Sequence, residues 1–156
     1  MEYTSLETIG KVNEDLRKSF LTGKTRDLEY RKNQLKQLCF MMKDNEDALC
    51  EAIRKDLGRP KLETMFAEVQ IMINDCVETV ASLDKWAKEE SKWAGVTWAT
   101  HKTVVRKEPK GAVLVLGAWN YPLSVQIGPV IPAIAAGNTV AFKVSPRHVF
   151  TSPSQD

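Results

Sequence analysis

Two polar side chains stand where this sequence could do chemistry. Asn120 follows the apolar run Ala112–Leu116, and Lys143 ends the second such run, Thr139–Phe142. A carboxamide donates hydrogen bonds without carrying charge or acting as a base, and an ammonium donates up to three. Between them the sequence reads as a turn and a short helix, closed by Gly137 and Asn138 as helix C-termini commonly are. A strand–helix–strand unit sets the loops after its strands along one sheet edge, where open α/β sheets bind ligands. Asn120 and Lys143 are therefore expected to face one crevice. Each also has a plainer reading. Asn often bonds the backbone of its own turn, and a strand-end Lys is commonly just solvated.

The elements that must position this pair fall into two halves. The first is helical. Thr4-x-x-Glu7 has the form of a capping box, and Ile9, Val12, Leu16 and Phe20 repeat at helical spacing. A second helix runs from about Asp27, with Leu28, Leu35, Leu38, Cys39 and Met42 on one face. Asn45 is placed to cap a third, with Leu49, Ala52, Ile53 and Leu57 inward and Gly58 as its stop. Pro60 opens a long fourth helix bearing Met65, Val69, Met72, Ile73, Cys76, Val80 and Leu83.

After Glu90 the texture changes. Val96-Thr97-Trp98 and Thr103-Val104-Val105 are β-branched and aromatic, and predict strands. Glu108-Pro109-Lys110-Gly111 predicts a turn. The run to Leu116 lacks alternation, as a strand covered on both faces does. The next helix holds Pro129 and Pro132 and is expected to kink or start late. The fold class is thus α/β: N-terminal helices, then strands, then an incomplete Rossmann-like βαβ cofactor-binding unit. Two strands cannot bury both faces of a parallel sheet, so exposed apolar surface and an unpaired edge are expected on the last strand.

Composition excludes other classes. Twenty-two basic against twenty acidic residues leave a net charge of +2, too little to favour nucleic acid or an anionic membrane. The three cysteines, Cys39, Cys50 and Cys76, form no C-x-x-C pair and fall at helical apolar positions, where a thiol packs as a small hydrophobe. His101 and His148 lack ligand spacing, so no metal site is expected. The first residues do not have the form of a signal peptide, and no apolar run is long enough to span a bilayer. A cytoplasmic location is the expectation.

Four segments, in order and correctly spaced, resemble the aldehyde dehydrogenase superfamily, in its class 3-like or fatty-aldehyde branch. They are Glu108–Gly111, Trp119-Asn120-Tyr121-Pro122, Ala133–Asn138 and Phe142-Lys143; Leu57-Gly58-Arg59-Pro60 fits the N-terminal region upstream. The resemblance covers the chain up to Ser145. It implies oxidation of aldehydes to carboxylic acids with NAD or NADP. Asn120 then matches the oxyanion donor, and Lys143 the residue that binds the adenosine ribose hydroxyls. Trp119 lines the cofactor crevice or serves as a core aromatic, and Ser145 joins the cofactor-binding group. Pro146 stands where the family has a ribose-binding Glu, so one contact is expected to be missing.

In the family, the nucleophilic Cys and general-base Glu lie far downstream of the matching Lys. The resemblance therefore implies an N-terminal fragment, residues 1–145, with a divergent tail at 146–156, inactive alone. The alternative is a non-catalytic interaction or regulatory fragment that associates with full-length relatives through its helices. Full-length relatives are expected to be homo-oligomers acting on an aldehyde substrate.

Overall fold

The computed structural model describes residues 4–145; Pro146, His148 and the rest of the 146–156 tail lie outside the described residues. The helical half comprises α1 (Leu6–Leu21), α2 (Leu28–Asp44), α3 (Glu46–Leu57), α4 (Lys61–Thr64) and α5 (Gln70–Ala87). α1 is capped by Ser5 rather than Thr4: the Ser5 hydroxyl accepts from the Thr8 N–H at 3.1 Å, one residue later than the capping box suggested. Its apolar stripe exists but contributes no fully buried residue, with only Leu16 and Phe20 partly covered.

Asp27 caps α2, accepting from the Tyr30 N–H at 2.8 Å. Asn45 does not cap α3. Its amide instead donates back to the Met41 carbonyl, sealing the end of α2, because a single residue separates the two helices. Gly58 stops α3 at φ 69°, a left-handed conformation that glycine adopts at low cost. The expected fourth helix is interrupted between α4 and α5 by a π turn, Met65–Val69, where the Gln70 N–H reaches the Met65 carbonyl five residues back. Such one-residue insertions re-aim the side chains that follow and concentrate at functional sites.

β1 (Glu90–Ser91) pairs antiparallel with β2 (Val104–Val105). Val96–Trp98 is not a strand but a turn of 3-10 helix. Gly95 precedes it at φ 93°, and among the described residues no strand lies alongside to reward its β propensity. β3 (Ala112–Leu116) and β4 (Thr139–Lys143) form a parallel pair in register from Ala112 opposite Thr139 to Leu116 opposite Lys143. α6 (Ser124–Ala135) connects them and contains both prolines, beginning before them rather than after.

The core is one cluster across both halves. Leu35 and Met42 of α2, Ile53 of α3 and Met72, Cys76 and Leu83 of α5 meet Leu123, Ile127, Ile131 and Ala135 around α6. Burying each large aliphatic side chain stabilises the fold by about 1.5–3 kcal/mol, so these contacts hold α6 on the helical layer. β3 is covered on one face only: Val115 is buried, whereas Leu114 is 63% and Leu116 69% exposed. Phe142 of β4 is exposed as well, matching the apolar surface expected of the last strand.

Candidate active site

Parallel pairing brings the ends of β3 and β4 to one edge. The ladder continues past β3, with the Gly117 N–H donating to the Lys143 carbonyl at 3.1 Å. Residues 117–123 then turn into α6. Asn120 is exposed on this loop, Lys143 is exposed at the end of β4, and Ser145 is half-buried two residues on. Trp119 is 49% exposed, so it is not a core aromatic among the described residues. The Asn120 carboxamide has no partner among the described residues, so it is not occupied in satisfying its own turn. A nearby cavity does not join these groups. It opens between α1, α2, α6 and β4, against Met41, Ile134, Val140 and Phe142.

Two residues for which the sequence predicts no role at the site hold the loop. Glu68, in the π turn, is fully buried. One of its carboxylate oxygens accepts from the Leu123 N–H at 2.7 Å and the Ser124 N–H at 3.1 Å. The other is ion-paired with the Arg59 guanidinium. Arg59 in turn donates to the Asn120 carbonyl oxygen at 2.7 Å, and its guanidinium lies 4.4 Å from the centre of the Tyr121 ring. α6 has no side-chain cap of its own at its first turn. Glu68 supplies one from 55 residues away, with its negative charge at the positive end of the helix. A charge buried this deeply is tolerable only when paired and fully hydrogen-bonded, and Glu68 is both. The sequence held half of this signal: Glu68 lies on the same helical face as Met65, Met72 and Cys76, an acidic residue within an apolar stripe. It held nothing to say that the partner was Arg59.

The far end of α6 is also tied. Asn138 donates to the Ala133 carbonyl at 3.1 Å and accepts from the Gly111 N–H at 3.0 Å, joining the helix end to the start of β3. The cysteines take no part in this edge. Burial raises the thiol pKa of Cys50, and burial with the neighbouring Cys39 and Asp75 pushes Cys76 up to about 12. Both are core thiols rather than thiolates at neutral pH. Among the described residues no group of three or more His, Cys, Asp or Glu is placed to hold a metal, and no helix is long and apolar enough to cross a membrane.

Comparison with known proteins assigns the chain to a family. The model described as the aldehyde dehydrogenase family matches residues 3–153. Aldehyde dehydrogenase family 3 member F1 of Arabidopsis thaliana is 39% identical over 139 residues, covering 89% of this chain and 29% of that protein. Family 3 member B1 of Bos taurus is 38% identical over 130 residues, 83% of this chain and 28% of the relative. The chain thus spans under a third of the length of these relatives. The substrate-bound structure of Staphylococcus aureus AldH superposes with a TM-score of 0.85 at 33% identity, over 93% of this chain and 31% of that one. The NADP complex of Methanocaldococcus jannaschii GapN, at 22% identity and a TM-score of 0.79, shares the fold over 93% of this chain and 30% of its own. With nearly its whole length matched by the family model, this chain belongs to the aldehyde dehydrogenase family.

Proposed function

We propose that these residues supply the oxyanion donor and part of the dinucleotide-binding edge for NAD(P)-dependent oxidation of an aldehyde to a carboxylic acid. The observation that carries this reading is the exposed Asn120 carboxamide, without a partner among the described residues, on a loop whose backbone is tied on both sides. When a nucleophile adds to an aldehyde, the carbonyl oxygen gains negative charge. A preoriented N–H donor lowers that barrier, and losing one costs about 2.7–4 kcal/mol. Cys50 and Cys76 are buried with raised thiol pKa values, so neither is the nucleophile.

Lys143, Trp119 and Ser145 suit a dinucleotide by their chemistry: an exposed ammonium for ribose hydroxyls, an aromatic ring and a hydroxyl. The bound nicotinamide would accept hydride, while these side chains bind and orient it. The donor set discriminates little between NAD and NADP, since one Lys can also meet a 2′-phosphate.

The test is Asn120→Ala in an aldehyde dehydrogenase of full family length that carries this segment. With chemistry limiting turnover, kcat should fall by about 10²–10³ while the dissociation constant for the cofactor stays the same. An unchanged kcat would reduce Asn120 to a turn residue.

A further inference from the structure

We infer that Glu68 and Arg59 are positioning residues for Asn120, a buried clamp that sets the angle at which the loop presents its carboxamide. The inference rests on the oxyanion reading of Asn120 and deepens it. Asn120 itself is exposed and its side chain is untied among the described residues, so within them its backbone sets where the carboxamide is presented. That backbone is tied immediately around it. Arg59 binds the Asn120 carbonyl on one side, and Glu68 binds the Leu123 and Ser124 N–H groups on the other. The Arg59–Glu68 ion pair joins the two anchors, so they move as one body. Tyr121 under the guanidinium and the fully buried Pro122 fill the space between.

The clamp is built for geometry. The Arg59 side chain is 10% exposed and Glu68 is fully buried, so neither acts through a mobile solvated chain. A guanidinium is a rigid fork that serves two acceptors at once, here the Glu68 carboxylate and the Asn120 carbonyl. A lysine in its place is a single point charge and cannot hold both in that arrangement. Both oxygens of Glu68 are used, one on Arg59 and the other on two amides. A glutamine keeps the shape but replaces one acceptor by a donor, so it must release either Arg59 or the start of α6.

The deciding experiment pairs Arg59→Lys and Glu68→Gln with Asn120→Ala in the full-length enzyme, reading kcat per active site and the cofactor dissociation constant. Backbone amide exchange at Leu123 and Ser124 is followed in parallel. Each clamp variant should lower kcat by about tenfold to a hundredfold, the effect of a displacement near 1 Å, with cofactor affinity unchanged. Amide protection should fall at Leu123 and Ser124 in Glu68→Gln and hold at Ile53 and Met72. Combined with Asn120→Ala, neither clamp variant should lower kcat further, because the group being positioned is gone. A merely structural role would lose protection throughout and add its effect to that of Asn120→Ala.

If Glu68→Gln does not fold, Arg59→Lys, which leaves the α6 cap in place, carries the decision. If Asn120→Ala lowers kcat but Arg59→Lys leaves it unchanged or lowers it additively, the clamp is wrong and the oxyanion reading stands. If Asn120→Ala itself leaves kcat unchanged, the oxyanion reading falls and the clamp with it.

Discussion

Gly117, between β3 and the Asn120 loop, should tolerate no larger residue while Gln126 stays where it is. A Cβ built on Gly117 would lie 2.1 Å from the Gln126 Cγ, 2.8 Å from its Cδ and 3.0 Å from its Nε2. Carbon atoms pack at about 3.5–4.0 Å, so Gly117→Ala brings an overlap of about 1.4 Å or more against the first methylene beyond the Gln126 Cβ. Gln126 is buried on α6, so its side chain cannot simply swing into solvent. Either its rotamer changes within a packed space or α6 moves away from β3. Overpacking of this kind costs about 1–3 kcal/mol. Gly117 is not among the residues at positive φ, so alanine adds no backbone strain. It also recovers about 0.4–1 kcal/mol by restricting the unfolded chain. The net expectation is a loss of about 1–2 kcal/mol, or roughly 2–8 °C in Tm for a chain of this size.

Urea denaturation of Gly117→Ala, Gln126→Ala and the double variant tests the cause as well as the size. Gln126→Ala removes the Cγ, so Gly117→Ala in that background should be neutral or slightly stabilising. The coupling energy would then be about 1–3 kcal/mol. Equal destabilisation in both backgrounds would show that closeness to α6 is not what requires glycine at the end of β3.

Two further outcomes follow from the titrating and cofactor-facing groups. Burial holds the Cys76 thiol near 12 in the folded chain, against 9.0 for the ordinary group. Between those values the folded chain keeps a proton that the unfolded chain releases, so stability should fall as pH rises, by about 1.4 kcal/mol per unit. Cys76→Ala should remove that share of the slope in urea melts from pH 8 to pH 11, and an unaltered slope would show the thiol to be hydrated. Lys143→Ala, in the full-length setting, should weaken binding of the nicotinamide dinucleotide by one to two orders of magnitude, the worth of about 1.5–3 kcal/mol in charged hydrogen bonds. Calorimetry showing equal affinities would place the ribose elsewhere.

The parts of this fold legible in the sequence are those specified within one or two helical turns. Asp27 ahead of an apolar period and Gly58 after one fixed α2 and α3 because caps and stops act on neighbouring amides. The β3–α6–β4 unit was legible for the same reason, from two apolar runs around a Gly-closed helix. What escaped depends on partners distant in sequence. Val96–Trp98 has the side chains of a strand but, among the described residues, no strand to pair with, while the polar Glu90–Ser91 becomes one because Val104–Val105 lies opposite. The π turn shifts the helical phase by a single residue, too little to disturb the apolar period around it. At the site, Asn120 and Lys143 could be placed at strand ends, but the groups that hold their loop could not. The Arg59 contact to Asn120 spans 61 residues, and the Glu68 contact to Leu123 spans 55.

Those two spans also settle how the halves of the molecule depend on one another. The strand edge alone fixes only the first residue of the loop, through the Gly117 bond to Lys143. Everything from Asn120 to the start of α6 is fastened to Arg59 and to the π turn, both in the helical half. In the hydrophobic core α6 packs on α2 and α5 and also lies against one face of the strand pair, whose other side chains Leu114, Leu116 and Phe142 stay uncovered. Strand pairing thus sets the height of the site along the sheet, and the helices set the direction in which Asn120 is offered. A substitution deep in the helical layer that shifts α5 against α6 should therefore disturb the loop more than one on the bare face of β3, although β3 leads directly into it.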